Sequence, residues 1–153
     1  MVDRWLGTNH AMTGQVATAD VDISASPGQV WTALTDPKLI SKYMFGAQVE
    51  TSWEVGTPIR WKGEYDGKSY EDKGEVVEVV PEERLTVTHF SPLTGQEDKP
   101  ENYHTVKYEI TDQGDRTHLA LEQDNNPTDE AVEESQKNWK TVLNGIKKVV
   151  ENG

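Results

Sequence analysis

The chain has no cysteine and few basic residues, with 15 Lys and Arg against 27 Asp and Glu among 153 residues. The absence of cysteine excludes disulfide bonds, thiol nucleophiles and metal sites built on thiolates. The acidic excess gives a formal net charge of −12, and such a surface repels phosphate groups. We therefore expect no nucleic-acid partner and no attachment to anionic membranes.

Long apolar runs are also missing. No segment approaches the roughly 18 apolar residues that a membrane-spanning helix needs. The first residues, MVDRWLGTNHAMTG, lack the apolar core of a secretory signal. We expect a cytoplasmic protein without membrane insertion. The length fits one domain, which we predict to span residues 16–153 after a flexible N-terminal arm at residues 1–15.

Hydrophobic residues make up only 34% of the chain, yet it contains five Trp and five Tyr. Large rings carry much of the buried area when apolar residues are few. One of them, Trp31, lies in the short apolar stretch VWTALTDP and flanks the apolar side of a predicted helix. We expect it to pack in the core, with ligand contact as the alternative. If it is fully buried, its truncation to Ala should cost ~3–5 kcal/mol.

The first third of the chain predicts a strand followed by two short helices. Apolar and polar residues alternate over Ala17–Ser24, as in a half-buried strand. Ser26-Pro27 is typical of a helix start, with Ser as N-cap and Pro in the first position. Asp36-Pro37 ends that helix, because Pro restricts the residue before it, and begins a second one.

Six further strand-like segments and a long amphipathic helix follow. The helix begins after an N-cap at Thr128 and continues to about Glu151, with apolar residues at helical spacing on one side. Antiparallel strands with helices on one face define an α+β domain. The predicted strands are Gln48–Ser52, Ile59–Tyr65, Ser69–Val80, Arg84–Phe90, Tyr103–Thr111 and Arg116–Gln123, and Ser91–Asn102 is predicted to be a long hairpin loop.

Four phrases in this order resemble the Bet v 1-like, START-related (SRPBCC) superfamily, in particular its branch similar to the C-terminal domain of the activator of Hsp90 ATPase. The phrases are SPGQVWTALTDPKLISKYMF, GEVVEVVPEERLTVTHF, HTVKYEITDQGDRTHLALEQ and NWKTVLNGIKKVVENG, and the resemblance covers about residues 16–153. It implies a helix-grip fold, in which a curved antiparallel sheet of about seven strands wraps around a long C-terminal helix. It also implies two short helices after the first strand and a hydrophobic cavity. Relatives bind lipids, hormones or polyketide-like molecules, and some catalyse reactions on them.

The side chains predicted to face the interior of the sheet are mostly apolar or aromatic. Among them, Trp61, Tyr108 and Trp139 are our candidates for lining the cavity, because large amphipathic rings suit mixed pockets. The other inward-facing residues should form the core: Trp53, Ile59, Leu85, Val87, Val106, Leu119, Leu121, Leu143 and Ile146.

Two histidines are the main polar candidates. If the loop between their strands closes symmetrically, His89 lies opposite His104, with Cβ atoms ~4.5–5.5 Å apart. Three interpretations remain open: partly solvated residues with local hydrogen bonds, recognition of a ligand's carbonyl or hydroxyl, and a metal site. A metal needs three or four ligands and no third one is evident, so we predict neither a metal nor a cofactor. Of the other histidines, His10 lies in the arm and His118 should face solvent.

Glu78 is a further candidate for acid–base chemistry. A tight turn after its strand would place it opposite Val87 on the inner face, where a carboxylate is costly unless it is paired or neutralised. Because Val77 and Val79 compete for the same face, we favour the outward, solvated orientation. The chain contains no GxGxxG, phosphate-loop or GxSxG motif and no EF-hand spacing.

Three functions follow from these observations. The first is binding of a small hydrophobic or aromatic molecule between the sheet and the C-terminal helix, without catalysis. The second is an enzyme that acts on such a molecule through polar cavity residues, and the third is a cochaperone-like module with a protein partner. An inward-facing, hydrogen-bonded polar pair in a sizeable pocket would favour the second, and a filled core the third. The predicted ligand-binding residues are Trp61, His89, His104, Tyr108 and Trp139.

Overall fold

Seven antiparallel strands form one sheet in the computed structural model, which describes residues 12–152. The strands are β1 (Gln15–Ile23), β2 (Gln48–Glu50), β3 (Pro58–Tyr65), β4 (Lys68–Val80), β5 (Arg84–His89), β6 (His104–Asp112) and β7 (Thr117–Asn126). Their order across the sheet is β1-β7-β6-β5-β4-β3-β2. Each strand after β2 therefore pairs with its neighbour in sequence, and β1 joins β7.

Three α-helices of the described residues pack on one face of the sheet, which we call the inner face. The side chains of Ser26, Asp36 and Thr128 each accept a hydrogen bond from a backbone N–H in the first turn, at 2.9–3.2 Å. These contacts satisfy N–H groups that have no partner within a helix, so the helices begin where the sequence predicts. They are α1 (Pro27–Thr35), α2 (Pro37–Tyr43) and α3 (Asp129–Asn152).

The hydrophobic core lies between the inner face and the second half of α3. Val142, Leu143 and Ile146 are the buried residues of this helix, and they belong to one cluster with Leu119 and Leu121 of β7. Every α3 residue before Val142 is exposed or half-buried. The sheet therefore holds the end of the helix, and the start of α3 lies at the open end of the inner face.

Two glycines permit close approaches that shape this interior. A Cβ atom added to Gly145 of α3 would lie 3.0 Å from Tyr43 Cβ, so glycine lets α3 pack against α2. A Cβ atom added to Gly74 of β4 would lie 1.8 Å from the carbonyl oxygen of Thr88. The backbones of β4 and β5 can approach this closely only because residue 74 has no side chain.

The observed architecture confirms the predicted α+β helix-grip fold, with strand ends that differ by a few residues from the prediction. Trp31 is half-buried against the core, so the cost expected for a fully buried Trp does not apply to it. Residues 1–11, including His10, lie outside the described residues, and the division into arm and domain stays a prediction. Among residues 12–152, no helix is both long and apolar enough to cross a membrane.

Candidate functional site

His89 and His104 lie opposite each other on the inner face of β5 and β6, in the register that the sequence predicts. His89 does not stand alone, because its Nε2 lies 2.8 Å from Oδ2 of Asp72 on β4. A carboxylate can only accept a hydrogen bond, so Nε2 carries the hydrogen of this contact. The other ring nitrogen of a neutral His89, Nδ1, consequently keeps its lone pair.

Asp72 is the candidate that sequence reasoning missed. Its side chain is only 15% exposed, and its Oδ1 atom is buried with no hydrogen-bond partner in the described part of the chain. Asp72 lies opposite Trp61 of β3, whose ring meets that of His89 edge-on, with the ring centroids 5.1 Å apart. The position of Asp72 could have been inferred from the pair Asp66-Gly67, where both residues have positive φ. A two-residue Asp-Gly turn fixes the hairpin register, and that register places Asp72 opposite Trp61.

His104 belongs to a second set of contacts with Gln123 and Trp139. The indole N–H of Trp139 donates to Gln123 Oε1, which directs the amide nitrogen of Gln123 toward His104 Nδ1, 3.0 Å away. The carbonyl oxygen of Asp124 lies 2.9 Å from the same ring nitrogen. Since a donor and an acceptor both contact Nδ1, the network permits either tautomer of His104.

These two sets of contacts lie side by side on the inner face, from β4 to α3, because His89 and His104 are register partners. We call the two sets together the polar row, which consists of Asp72, His89, His104, Gln123 and Trp139. Within residues 12–152, no group of three or more His, Asp or Glu side chains is arranged to hold a metal ion. The chemistry that the polar row offers is hydrogen bonding and proton transfer.

A small cavity lies deeper on the inner face, between the sheet and the two short helices. Its volume is about 40 Å³, which is space for a few water molecules at most. Pockets for drug-sized ligands typically measure ~300–1,000 Å³, so the cavity must open to admit one. Its lining residues are Leu34, Ile40, Tyr43, Met44, Trp53, Ile59, Trp61, Leu85, Val87 and Tyr108.

Two tyrosines in the cavity wall are similarly buried but differ in their hydrogen bonds. Tyr43 is 7% exposed and Tyr108 is 9% exposed. The Tyr43 hydroxyl donates to the carbonyl oxygen of Ala33 at 2.8 Å, whereas the Tyr108 hydroxyl has no partner among residues 12–152. Burial raises the pKa of both hydroxyls above their ordinary value of 10.0, so both remain protonated donors at neutral pH. Tyr108 thus presents an unpaired donor on the wall of an otherwise mostly apolar cavity.

The structure divides the five predicted ligand-binding residues into two groups. Trp61 and Tyr108 line the cavity, whereas the other three belong to the polar row, and Trp61 connects the groups through its contact with His89. The predicted position of the cavity needs correction, because none of its described lining residues belongs to α3. Leu143 and Ile146 are 0% exposed and fill the space between that helix and the sheet.

Two other titratable candidates face away from the interior. Val79 pairs with Leu85 and Glu78 with Thr86, so Val79 takes the inner position. Glu78 accepts a hydrogen bond from Arg84 at 3.3 Å on the outer face, which confirms the outward orientation that the sequence favours. His118 also lies on the outer face, but it is only 28% exposed rather than open to solvent. Its hydrogen bond with Asp22 lowers the pKa of that carboxyl.

Pockets larger than this cavity lie on other parts of the surface. One of about 610 Å³ is on the outer face, with Thr13 and Tyr103 among its lining residues. The long loop between β5 and β6 is attached there by Asp98, which pairs with Lys73 and accepts the Tyr103 hydroxyl at 2.6 Å. A polar space of about 360 Å³ adjoins His104 at the start of α3. Neither space includes the unpaired Tyr108 hydroxyl among its lining residues.

The sequence matches one protein family model, that of the activator of Hsp90 ATPase homolog 1-like protein, over residues 24–151. Among proteins with curated functions, the chain has no match. A protein from Cytophaga hutchinsonii with a known solution structure is similar over 93% of this chain and 97% of its own, at 42% sequence identity and a TM-score of 0.81.

More distant structures share the architecture. The Aha1 dimer from Colwellia psychrerythraea is 18% identical over 90% of this chain and 96% of its own, with a TM-score of 0.70. CalU16 from Micromonospora echinospora is 19% identical over 92% of this chain and 87% of its own, with a TM-score of 0.67. At these identities the likeness concerns the fold alone.

Proposed function

The chain belongs to the activator of Hsp90 ATPase homolog 1-like family, and we propose that it binds a small hydrophobic or aromatic molecule on the inner face of its sheet. Domains of this fold are commonly ligand-binding domains. The proposed site is the cavity below α1 and α2, enlarged by movement of the side chains at its mouth.

The observation that carries this proposal is the unpaired hydroxyl of Tyr108. No protein group among residues 12–152 bonds this hydroxyl, so it is available to donate to a ligand. A ligand that offers an oxygen or nitrogen acceptor gains a hydrogen bond worth roughly 0.5–1.5 kcal/mol. One polar group on an apolar, aromatic wall is also the usual composition of small-molecule sites.

The side chains at the mouth are suited to open the cavity. Met44, Trp53 and Trp61 line it and are only partly buried against the core. Met is unbranched and flexible, so it can move without disturbing the backbone. Trp53 has a φ of 61°, an unusual conformation for a bulky residue, and such strained positions cluster at ligand sites.

Native mass spectrometry of the freshly purified protein, followed by titration with a library of aromatic and aliphatic molecules, tests this proposal. Tryptophan fluorescence reports binding, and we expect saturable quenching by at least one class of ligand. Tyr108→Phe should weaken binding of a ligand with an acceptor group by roughly 2–10-fold, the worth of one hydrogen bond. Trp31→Phe is the matched control, because Trp31 does not line the cavity.

Failure of the proposal has a clear form. If no small molecule co-purifies and no library member quenches the fluorescence, the inner face does not bind ligands. The cochaperone-like alternative with a protein partner then gains support. Quenching that is unchanged in Tyr108→Phe but lost in Trp31→Phe would place a binding site elsewhere in the molecule.

A further inference from the structure

We propose that His89, oriented by Asp72, accepts a proton from an acidic hydroxyl of an aromatic ligand, so that the protein binds phenolic molecules as phenolates. This inference rests on the proposed ligand-binding function and names the chemical class of ligand. It assigns a role to the Asp72–His89 pair, which the binding of a purely apolar molecule does not require.

The geometry of the pair determines which group of a ligand it can recognise. Because the hydrogen on Nε2 is committed to Asp72 at 2.8 Å, neutral His89 presents a lone pair at Nδ1. Nδ1 has no partner among the described residues, and the side chain is 31% exposed. A hydroxyl, which donates, therefore matches this nitrogen, whereas a carbonyl, which only accepts, does not.

Trp61 explains why the hydroxyl should belong to an aromatic ring. It lines the cavity and meets the His89 ring edge-on, at 5.1 Å between centroids. An aromatic ligand that packs against Trp61 therefore holds its substituents close to His89. Phenols are also far more acidic than aliphatic alcohols, and a proton passes to imidazole most readily from an acidic hydroxyl.

The step is a single proton transfer with balanced charge. The O–H bond of the ligand breaks, an N–H bond forms at His89 Nδ1, and the negative charge stays on the phenolate oxygen. The new imidazolium still donates from Nε2 to the Asp72 carboxylate, now as a charge-assisted hydrogen bond. This is the orienting role that a carboxylate has behind a histidine base in hydrolases.

The groups that face His89 define the electrostatics of this step. From β4 the facing group is Asp72; burial and the charge of Asp72 raise the pKa of the Tyr70 hydroxyl on the same strand. From β6 the facing group is His104, and β3 contributes the uncharged Trp61. Asp72 is thus the one carboxylate that contacts the ring among the described residues.

A nitrophenol and its methyl ether, a nitroanisole, are suitable probes for this inference. The phenolate absorbs visible light, so a pH titration of the bound nitrophenol gives its pKa directly, while the ether binds without ionising. An opposite charge within ~4–6 Å lowers the pKa of an acid by roughly 1–3 units. We therefore expect the bound nitrophenol to ionise at least about one unit below its value in water, which is a roughly tenfold gain in phenolate fraction.

Three variants identify the group responsible. His89→Gln should abolish the displaced titration of the nitrophenol, measured at probe concentrations that saturate the variant, and Asp72→Asn should reduce the displacement. His118→Gln is the matched control, because His118 also lies 2.8 Å from an aspartate, Asp22, but on the outer face. The His118→Gln variant should show the same displaced titration of the nitrophenol as the unaltered protein.

Each outcome of this experiment either supports or overturns the inference. Binding of both probes with no displacement of the titration, or a displacement that survives in His89→Gln, overturns the inference and leaves the proposed function standing. Equal loss in His118→Gln overturns it as well, since the effect would then come from net charge. If neither probe binds, the inference fails together with binding of aromatic molecules at this site.

Discussion

Removal of one hydroxyl from Tyr108 should leave the stability of the ligand-free protein nearly unchanged, whereas the same change at Tyr43 should destabilise it. Both substitutions, Tyr108→Phe and Tyr43→Phe, delete one oxygen from a side chain that is more than nine-tenths buried. The only structural difference that matters is the hydrogen bond, which Tyr43 makes to Ala33 at 2.8 Å and Tyr108 lacks within the described residues. The pair therefore isolates the contribution of the Tyr43 hydrogen bond.

The size of each change in stability depends on whether the substitution leaves a hydrogen-bond partner unsatisfied. Tyr43→Phe orphans the Ala33 carbonyl, because the residue that would normally donate to it four positions later is Pro37, which has no N–H. The loss should be about 1–3 kcal/mol. Tyr108→Phe removes a hydroxyl that no protein group bonds, orphans no partner, and should change the free energy of unfolding by less than about 1 kcal/mol.

Thermal and urea unfolding of the two variants measure this difference. For a domain of this size, ~1 kcal/mol changes the melting temperature by roughly 2–4 °C. We expect Tyr43→Phe to melt a few degrees below the unaltered protein, and Tyr108→Phe to melt within about 2 °C of it. Equal destabilisation by both changes would refute the reasoning, since it would mean that the Tyr108 hydroxyl is as well satisfied as that of Tyr43.

Three further predictions concern the framework of the site. Leu143→Ala should cost about 2–5 kcal/mol in urea unfolding, because it empties a fully buried position of the core; a cost below about 1 kcal/mol would mean that α3 is not packed as described. Gly74→Ala should cost roughly 1–3 kcal/mol or more, because its Cβ would lie 1.8 Å from Thr88 O, and wild-type stability would contradict this close approach. The pKa of Glu151 is lowered by Lys147 and by the Ser24 N–H, so its contacts stabilise the fold above the ordinary value of 4.5 and are lost as the pH falls through the lowered value. Glu151→Gln should accordingly unfold at a lower urea concentration than the unaltered protein at pH 7, and the two unfolding midpoints should converge in acid. A difference between the midpoints that grows in acid would contradict this prediction.

Local signals in the sequence were sufficient for the framework of this fold. Ser-Pro and Asp-Pro pairs mark the starts of the first two helices, since cap chemistry depends on neighbouring residues only. The register of His89 against His104 was also predictable, because the two strands pair symmetrically about the loop between them.

The parts that sequence reasoning missed depend on the exact register and on packing. A bulge in β4 between Val76 and Glu78 exchanges the inner and outer faces along the strand, so Asp72 lies on the inner face although Glu78, as predicted, faces outward. The volume left beside α3 depends on how Leu143 and Ile146 fit against the sheet, and alternation patterns carry no information on such fits. A search for Asp-Gly turns would have found the register that places Asp72 opposite Trp61.

The measurement that tests the central claim most directly is an NMR titration of the labelled protein with the best ligand from the library. The chain contains five Trp, and each gives a separate indole N–H signal. Ligand binding on the inner face predicts saturable shifts of the Trp53 and Trp61 signals and of the backbone near Tyr108, with Trp31 unaffected. Shifts confined to Tyr103 and Thr105, which line the outer-face space, would contradict the account.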